Sequence, residues 1–334
     1  MTRYAAIIGT GSYLPETIMT NADLEKIVDT SDEWIVSRTG IKERRIVADG
    51  ESTSDLAARA GRIAMDRAGV TADQIDMLLV GSTSPDYIMP STACITQAKL
   101  GLTCPAVDLM AACTSWIYAL QNAAAAIESG RADTVLVIGA EALTRLVDFT
   151  DRGTCVLFGD GAGAVVLQVS EEPGVKAVVL GADGKGAEHL IIPAGGAAIP
   201  VTEERLAAHD QLVRMNGSEV FKFAVRVIPR ATKEALAKSG HDLSELRWLV
   251  PHQANQRIIA TIEERLGIDD DHVYLNLEKT GNTSAASIPL ALDDLYTSGR
   301  LAPGDLLALV GFGAGLTWGA AVVRWTMAAP NEEE

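Results

Sequence analysis

The chain has 334 residues, 48% of them hydrophobic, with a mean hydropathy of +0.15 and a formal net charge of −16. This composition excludes disorder, suits one large α/β domain or two fused halves, and argues against nucleic-acid binding, which needs a basic footprint. No apolar run approaches the roughly 20 residues that span a bilayer, and the start lacks the features of a signal peptide, so a cytoplasmic protein of enzyme size is expected.

The first clear elements begin with a short apolar run, Met77-Leu-Leu-Val80, followed by a polar loop and a helical segment closing at Leu100-Gly101. A strand-like run, Ala106-Val-Asp-Leu109, leads to Ala112-Cys113-Thr114-Ser115 and an alanine-rich helix that ends at Ser129-Gly130-Arg131. A buried strand, Val135-Leu-Val-Ile-Gly139, comes next, and Ala164-Val-Val-Leu-Gln-Val169 reads as another. A connection is expected over 171–216, from Pro173-Gly174 and the glycine-rich 181–196 to the acidic Glu203-Glu204, with part of it near a substrate entrance.

The pattern then repeats. Trp248-Leu-Val250, a helix closing at Leu266-Gly267, Val273-Tyr-Leu-Asn-Leu277, Gly281-Asn282-Thr283-Ser284, a helix ending at Ser298-Gly299-Arg300 and Leu307-Ala-Leu-Val-Gly311 follow in the same order. From Cys113/Asn282 to Arg131/Arg300 the two copies align without a gap at an offset of 169 residues. This is duplication at domain scale. Alternating strands and amphipathic helices imply parallel sheets covered by helices. We therefore expect an N-terminal half (1–170), the connection (171–216) and a C-terminal half (217–334), paired about a pseudo-twofold axis that brings Cys113 and Asn282 face to face.

Four cysteines, Cys94, Cys104, Cys113 and Cys155, form no CxxC pair and sit near no histidine in sequence, so a zinc site is not expected. Cys94, Cys104 and Cys155 read as small buried hydrophobes. Cys113 starts a helix, where unpaired N–H groups and the dipole favour thiolate. His252, in Val250-Pro251-His252-Gln253-Ala254-Asn255, follows a strand, where parallel sheets place ligands. Taken singly, each has an ordinary reading: a packed thiol, a junction histidine, and an N-cap for Asn282. Their joint placement on a repeat favours a site. Cysteine accepts an acyl group as a thioester, and the histidine and asparagine supply two N–H donors for an oxyanion or enolate. That set suits carbon–carbon bond formation from thioesters better than proteolysis. The glycine runs Gly9-x-Gly11 and Gly159-x-Gly161-x-Gly163 do not complete a dinucleotide fingerprint.

These motifs, with Gly9-Thr-Gly-Ser-Tyr-Leu-Pro15, Thr30-Ser-Asp-Glu-Trp-Ile-Val-Ser-Arg-Thr-Gly-Ile41, Asp151-Arg152-Gly153, Phe158-Gly-Asp-Gly-Ala-Gly-Ala164 and Gly311-Phe-Gly-Ala-Gly-Leu-Thr-Trp-Gly319, resemble the β-ketoacyl-acyl carrier protein synthase III enzymes from Ile8 to about Trp325. The resemblance implies a thiolase-like fold, two βαβαβ halves in a five-layered αβαβα core. It implies a homodimer that needs no cofactor or metal and condenses an acyl-CoA primer, acetyl-CoA in the first instance, with malonyl-acyl carrier protein. By it, Cys113 carries the acyl group while His252 and Asn282 promote decarboxylation. The backbone N–H groups of Cys113 and Ala314 form the oxyanion hole. Trp34, Arg38, Arg152, Gly217, Phe221 and Asn255 bind CoA, Met89 and Trp116 bound the acyl pocket, and Lys222 and Arg257 receive the acidic carrier.

Several positions depart from the pattern. Thr114-Ser115-Trp116 stands where Ala-Gly-Phe is usual, which implies added bulk by the acyl pocket. Ala314 replaces a glycine, so an ordinary or slightly strained backbone is expected there. Glu264-Arg265 replaces a basic pair near Arg257. Met89, flexible and apolar, would admit primers beyond acetyl. Two other readings stay open: a relative in secondary metabolism using the same three residues, and a binding-only homologue, which would leave a buried polar triad unused.

Overall fold

In the computed structural model, which describes residues 2–330, strands form where apolar runs lack polar alternation, as burial on both faces requires. Five make one sheet, in the order Tyr4–Tyr13, Gly161–Ser170, Thr134–Glu141, Met77–Gly81, Ala106–Leu109, the last three mutually parallel. Four make a second sheet, in the order Val175–Ala182, Thr317–Arg324, Leu306–Gly313, Trp248–Pro251, the last two parallel. The four strands of the second sheet match the first four of the first in order, and Ala106–Leu109 has no counterpart strand.

The helices Ser115–Glu128 and Ser287–Thr297 lie between the sheets in one shared core that includes Val137, Leu167, Val250 and Leu309. Thr53–Ala68 and Thr92–Leu100 cover the outer face of the first sheet, and Gly217–Ser239 and Gln256–Leu266 that of the second. The result is the expected five-layered αβαβα architecture. Gly139 lets the second half approach: a Cβ there would collide with the carbonyl oxygen of Ala285.

The duplication holds, but its register does not. Both central helices are preceded by a 3₁₀ turn, Ala112–Thr114 and Ser284–Ala286, and each turn begins with a left-handed residue, Ala112 (φ 51°) and Ser284 (φ 47°). The structural offset there is 172 residues, which matches Cys113 to Ala285 and not to Asn282. The second helix has 11 residues against 14, so the Ser-Gly-Arg ends align at 169 while the starts do not. Similarity at the helix ends carried the sequence alignment into a false register at the site.

Two further differences concern particular segments. Val273-Tyr-Leu-Asn-Leu277 does not form a strand; it keeps a single parallel bridge, Val273 to Leu249, before the short helix Leu277–Thr280. Within 171–216, Val175–Ala182 is an integral strand of the second sheet. In the remainder of that segment Leu190–Ile191 pairs with Arg214–Met215, and Ala194 and Val213 are buried.

Candidate active site

Cys113 lies in the turn between the strand Ala106–Leu109 and the central helix of the first half. The turn is held by its neighbours: Ser115 Oγ accepts from Ala111 N (2.8 Å) and donates to Ala112 O (2.7 Å), and Thr114 Oγ1 donates to Ala111 O (2.7 Å). Opposite, the strand Leu306–Gly313 closes to contact; a Cβ on Gly313 would sit 2.7 Å from Cys113 N. Only glycine permits that approach.

Burial, first of all, pushes the Cys113 thiol up to about 12; the Glu141 charge adds to the rise, and a hydrogen bond with Ser284 opposes it. This corrects the expectation of a resting thiolate. The helix start is present, but desolvation of the anion outweighs it.

His252 follows the strand Trp248–Pro251 and is fully enclosed. Burial holds its ring well below the ordinary range, at about 3, so the imidazole is neutral. Its Nδ1 lies 2.6 Å from Ser287 Oγ, and its ring meets Phe312 edge-on at 5.5 Å. A buried hydroxyl must place its own proton; donation to Nδ1 does so and leaves the ring proton on Nε2. Asn282 is fixed through its backbone, which donates to Leu157 O (2.8 Å) and accepts from Gly159 N (3.1 Å). Its Oδ1 accepts from Ser284 N (2.9 Å), so the carboxamide Nδ2 is the end left as donor.

These three side chains border one cavity of about 680 Å³. Arg38, Gly217, Phe221, Lys222, Asn255 and Arg257 border it as well. Trp34 and Arg152 stand outside that lining as a stack: the Arg152 guanidinium lies 4.8 Å over the Trp34 ring, with Arg38 6.0 Å from it. Arg152 donates to Asp29 O (3.0 Å). Lys222 pairs with Glu219 at 2.7 Å. Both ends of the Asn255 amide are occupied: Nδ2 donates to Arg38 O (3.0 Å) and Oδ1 caps the next helix at Arg257 N (2.9 Å).

Cys113 also borders a second, apolar cavity of about 640 Å³, with Ala314, Leu143, Phe158, Ile192 and Val213 among its walls. Ala314 is not among the residues with positive φ; in that turn Gly315 takes it (132°). Trp116 is not in this cavity. Its side chain is completely buried in the core between the sheets, because the helix turns it away from the thiol. The acyl-pocket assignment of Trp116 is therefore corrected, and Thr114 and Ser115 serve the turn's hydrogen bonds. Met89 is 85% exposed on a lip with Tyr87 and Ile88 and borders neither cavity within this chain. Of the other cysteines, Cys155 is buried, but Cys94 is exposed and Cys104 half-buried, against expectation.

Sequence reasoning missed Glu141. It ends the apolar strand Thr134–Glu141 and is completely buried. Its carboxylate accepts from Thr83 N (3.0 Å), Ser84 N (3.0 Å), Ser84 Oγ (2.5 Å) and, across the halves, Ala285 N (3.3 Å). The Ser284 hydroxyl reaches both this carboxylate and the Cys113 thiol. Burial raises the Glu141 carboxyl above the usual range while these donors oppose the rise. A lone acid closing a fully apolar strand was the available signal. Among the described residues, no cluster of three His, Cys, Asp or Glu side chains is arranged to hold a metal ion.

Comparison with known proteins matches residues 107–184 to the family described as 3-oxoacyl-[acyl-carrier-protein (ACP)] synthase III, and residues 236–325 to its C-terminal region. A protein of Xanthomonas axonopodis pv. citri called β-ketoacyl-[acyl-carrier-protein] synthase III is 53% identical over 323 residues, 96% of this chain and 98% of that one. The crystal structure of the synthase III from Thermus thermophilus is 48% identical, covers 96% of this chain and 99% of its own, and superposes with a TM-score of 0.89. The priming β-ketosynthase of the R1128 polyketide pathway is 36% identical over 98% of both chains, with a TM-score of 0.92.

Proposed function

We propose, for a chain that belongs to the β-ketoacyl-[acyl-carrier-protein] synthase III family, that Cys113, His252 and Asn282 divide its reaction into an acylation and a condensation. The enzyme is an acyltransferase of fatty acid biosynthesis that condenses an acyl-CoA primer with malonyl-acyl carrier protein to a β-ketoacyl-acyl carrier protein. The observation that carries the division of roles is the single cavity bordered by all three side chains.

In the first step the Cys113 sulfur attacks the acyl-CoA carbonyl. The bond from that carbon to the CoA sulfur breaks, and the proton lost by the Cys113 thiol ends on the departing CoA thiolate. A thiol held near 12 has little anion at rest, so the helix start serves the negative charge that develops during attack. The N–H groups of Cys113 and Ala314 hold the carbonyl oxygen as it becomes an oxyanion.

In the second step malonyl thioester enters the same cavity. His252 Nε2–H and Asn282 Nδ2–H donate to its thioester oxygen as CO₂ leaves, holding the enolate. A neutral imidazole donates without first gaining a proton, which its burial favours. The enolate carbon attacks the Cys113 thioester, and the intermediate collapses with release of the Cys113 thiolate, which takes up one proton from solvent. Acyl-CoA and malonyl-acyl carrier protein are the two substrates, and no step calls for a cofactor.

The Trp34–Arg152 stack and Arg38 receive the CoA nucleotide, and Gly217 and Phe221 flank the pantetheine arm. Asn255 contributes by ordering this mouth, since its amide is already occupied. Lys222 and Arg257 offer local positive charge to an acidic carrier on a chain of net charge −16. Tyr87, Ile88, Met89 and Met110, all more than 60% exposed, form an apolar face that a second copy would cover, supporting a homodimer in which Met89 reaches over the partner's acyl pocket. No helix among the described residues is long and apolar enough to cross a membrane. Four free thiols support a reducing, cytoplasmic setting.

Mass analysis after incubation with acyl-CoA tests the division of roles. One acyl mass is expected on the Cys113 peptide, absent in Cys113→Ala. Asn282→Ala is expected to keep most of that labelling and to lose malonyl decarboxylation; equal loss of both steps would refute the assignment of Asn282 to the second step.

A further inference from the structure

We propose that the primer this enzyme prefers is an acyl chain of medium length, octanoyl rather than acetyl, seated in the apolar cavity beyond Cys113. The inference rests on the acylation role given to Cys113 above.

The thiol forms a common wall of two cavities. The larger has a mouth with Arg38, Lys222 and Arg257 and suits a charged carrier of the thioester. The other, about 640 Å³, has walls of Leu143, Leu146, Phe158, Ile192, Ala194 and Val213. An acetyl group occupies the space of two or three waters, at about 30 Å³ each. The cavity is nearly an order of magnitude larger. The cavity opens outward at Tyr87, Ile88 and Met110, and its apolar walls beside a nucleophile suit an apolar occupant.

Leu190 borders both cavities, which places it at the thiol end. From there Ile191, Ile192, Ala194, Gly195 and Gly196 continue the wall of the apolar cavity. The chain bends from Ala194 onward, with Gly195 at φ 104° and its N–H bonded to Ile199 O (2.9 Å), so this wall is curved rather than a straight run. Trp116, the residue that would have shortened the slot, faces the core instead. The outer rim, Tyr87, Ile88 and Met110, belongs to the exposed apolar face, where the homodimer proposed above would bring the partner's Met89 over the outer end; Leu143, Leu146, Phe158 and Val213 are this chain's own walls.

Competition tests the inference on the full-length enzyme. Acetyl-, butyryl-, hexanoyl-, octanoyl- and decanoyl-CoA are offered together at equal concentration, and the acyl masses on the Cys113 peptide are counted. The kcat/KM for condensation with malonyl-acyl carrier protein is measured for each primer. Each methylene taken into an apolar wall is worth about four-fold. Octanoyl is therefore expected to exceed acetyl by at least ten-fold, less than two methylenes' worth of the six it adds. Ala194→Trp should lower the octanoyl-to-acetyl ratio at least ten-fold, and Ala194→Leu gives the same readout with less bulk. Acetyl outcompeting octanoyl in the unaltered enzyme, with normal condensation, overturns the inference alone. Acylation of Cys113 by none of the five removes the inference together with the acylation role.

Discussion

Replacing Glu141 separates what holds this site together from what reacts in it. In Glu141→Ala, the N–H groups of Thr83 and Ala285 lose their acceptor, while Ser84 N keeps Ser82 Oγ at 3.2 Å. Each buried N–H left unpaired costs about 1–3 kcal/mol, so the loss is about 4 kcal/mol, a large part of the roughly 5–15 kcal/mol that holds an ordinary domain. Glu141→Gln keeps one acceptor oxygen and turns an NH₂ toward donors, for about half that loss. Urea unfolding at matched slopes measures both. The same substitution makes a second, opposite-looking prediction. The Glu141 charge helps hold the Cys113 thiol up, so Glu141→Gln should move the pH dependence of Cys113 alkylation to lower pH even as the fold weakens. Glu141→Ala within about 1 kcal/mol of the parent, or a thiol that titrates higher in Glu141→Gln, would refute the reasoning.

Other outcomes follow from the same geometry. His252 is held at about 3 against an ordinary 6.5; the unfolded chain gains that proton below pH 6.5 and the native one does not. Stability is therefore fully present above pH 6.5 and falls toward pH 3, by about 2 kcal/mol from this residue between pH 7 and pH 5. In denaturant midpoints at those two pH values, His252→Gln should lose that share of the slope. Gly313→Ala should cut the acylation rate at least a hundred-fold with the fold retained by circular dichroism, since its Cβ would press on Cys113 N at 2.7 Å. Ser287→Ala, which removes the hydroxyl 2.6 Å from His252 Nδ1, should lower malonyl decarboxylation about ten-fold or more and spare primer labelling; equal effects on both steps would argue for a merely structural serine. The homodimer proposed through the Tyr87–Met89 face predicts a dimer mass for the parent in light scattering and a monomer mass for Ile88→Asp with Met89→Asp.

Much of this was legible in the residues. The strand and helix alternation and the duplicated order of elements carried the five layers. The positions of Cys113 and His252 after strands carried their place at the sheet edges, and both were expected on those grounds before any coordinate. What escaped was fine register. Ser129-Gly130-Arg131 and Ser298-Gly299-Arg300 look alike because both helices stop in a left-handed glycine, and that likeness says nothing about helix length. A three-residue difference at the far end then placed Asn282 opposite the wrong residue. Val273-Tyr-Leu-Asn-Leu277 has strand composition, yet its backbone serves the His252 loop: Gln253 donates to Tyr274 O at 3.1 Å and accepts from Asn276 N at 3.2 Å. Side-chain direction was equally hidden. Nothing in Thr114-Ser115-Trp116 tells that the indole turns into the core.

The corrected register explains why the site is asymmetric. Had Cys113 and Asn282 been symmetry mates, the two halves would offer their side chains on equal terms. Instead the mate of Cys113 is Ala285, whose N–H is taken by Glu141 of the first half. The second half thus uses its helix start to close on the first, and it supplies Asn282 from three residues earlier, where the chain bridges to Phe158. One helix start borders the cavities and the other is tied down by a carboxylate. This division lets a buried thiol, a neutral imidazole and a carboxamide occupy one cavity with only the thiol at a helix start able to develop charge. On the roles proposed above, a duplicated fold thereby yields a single nucleophile, with the second copy's equivalent position spent on holding the halves together.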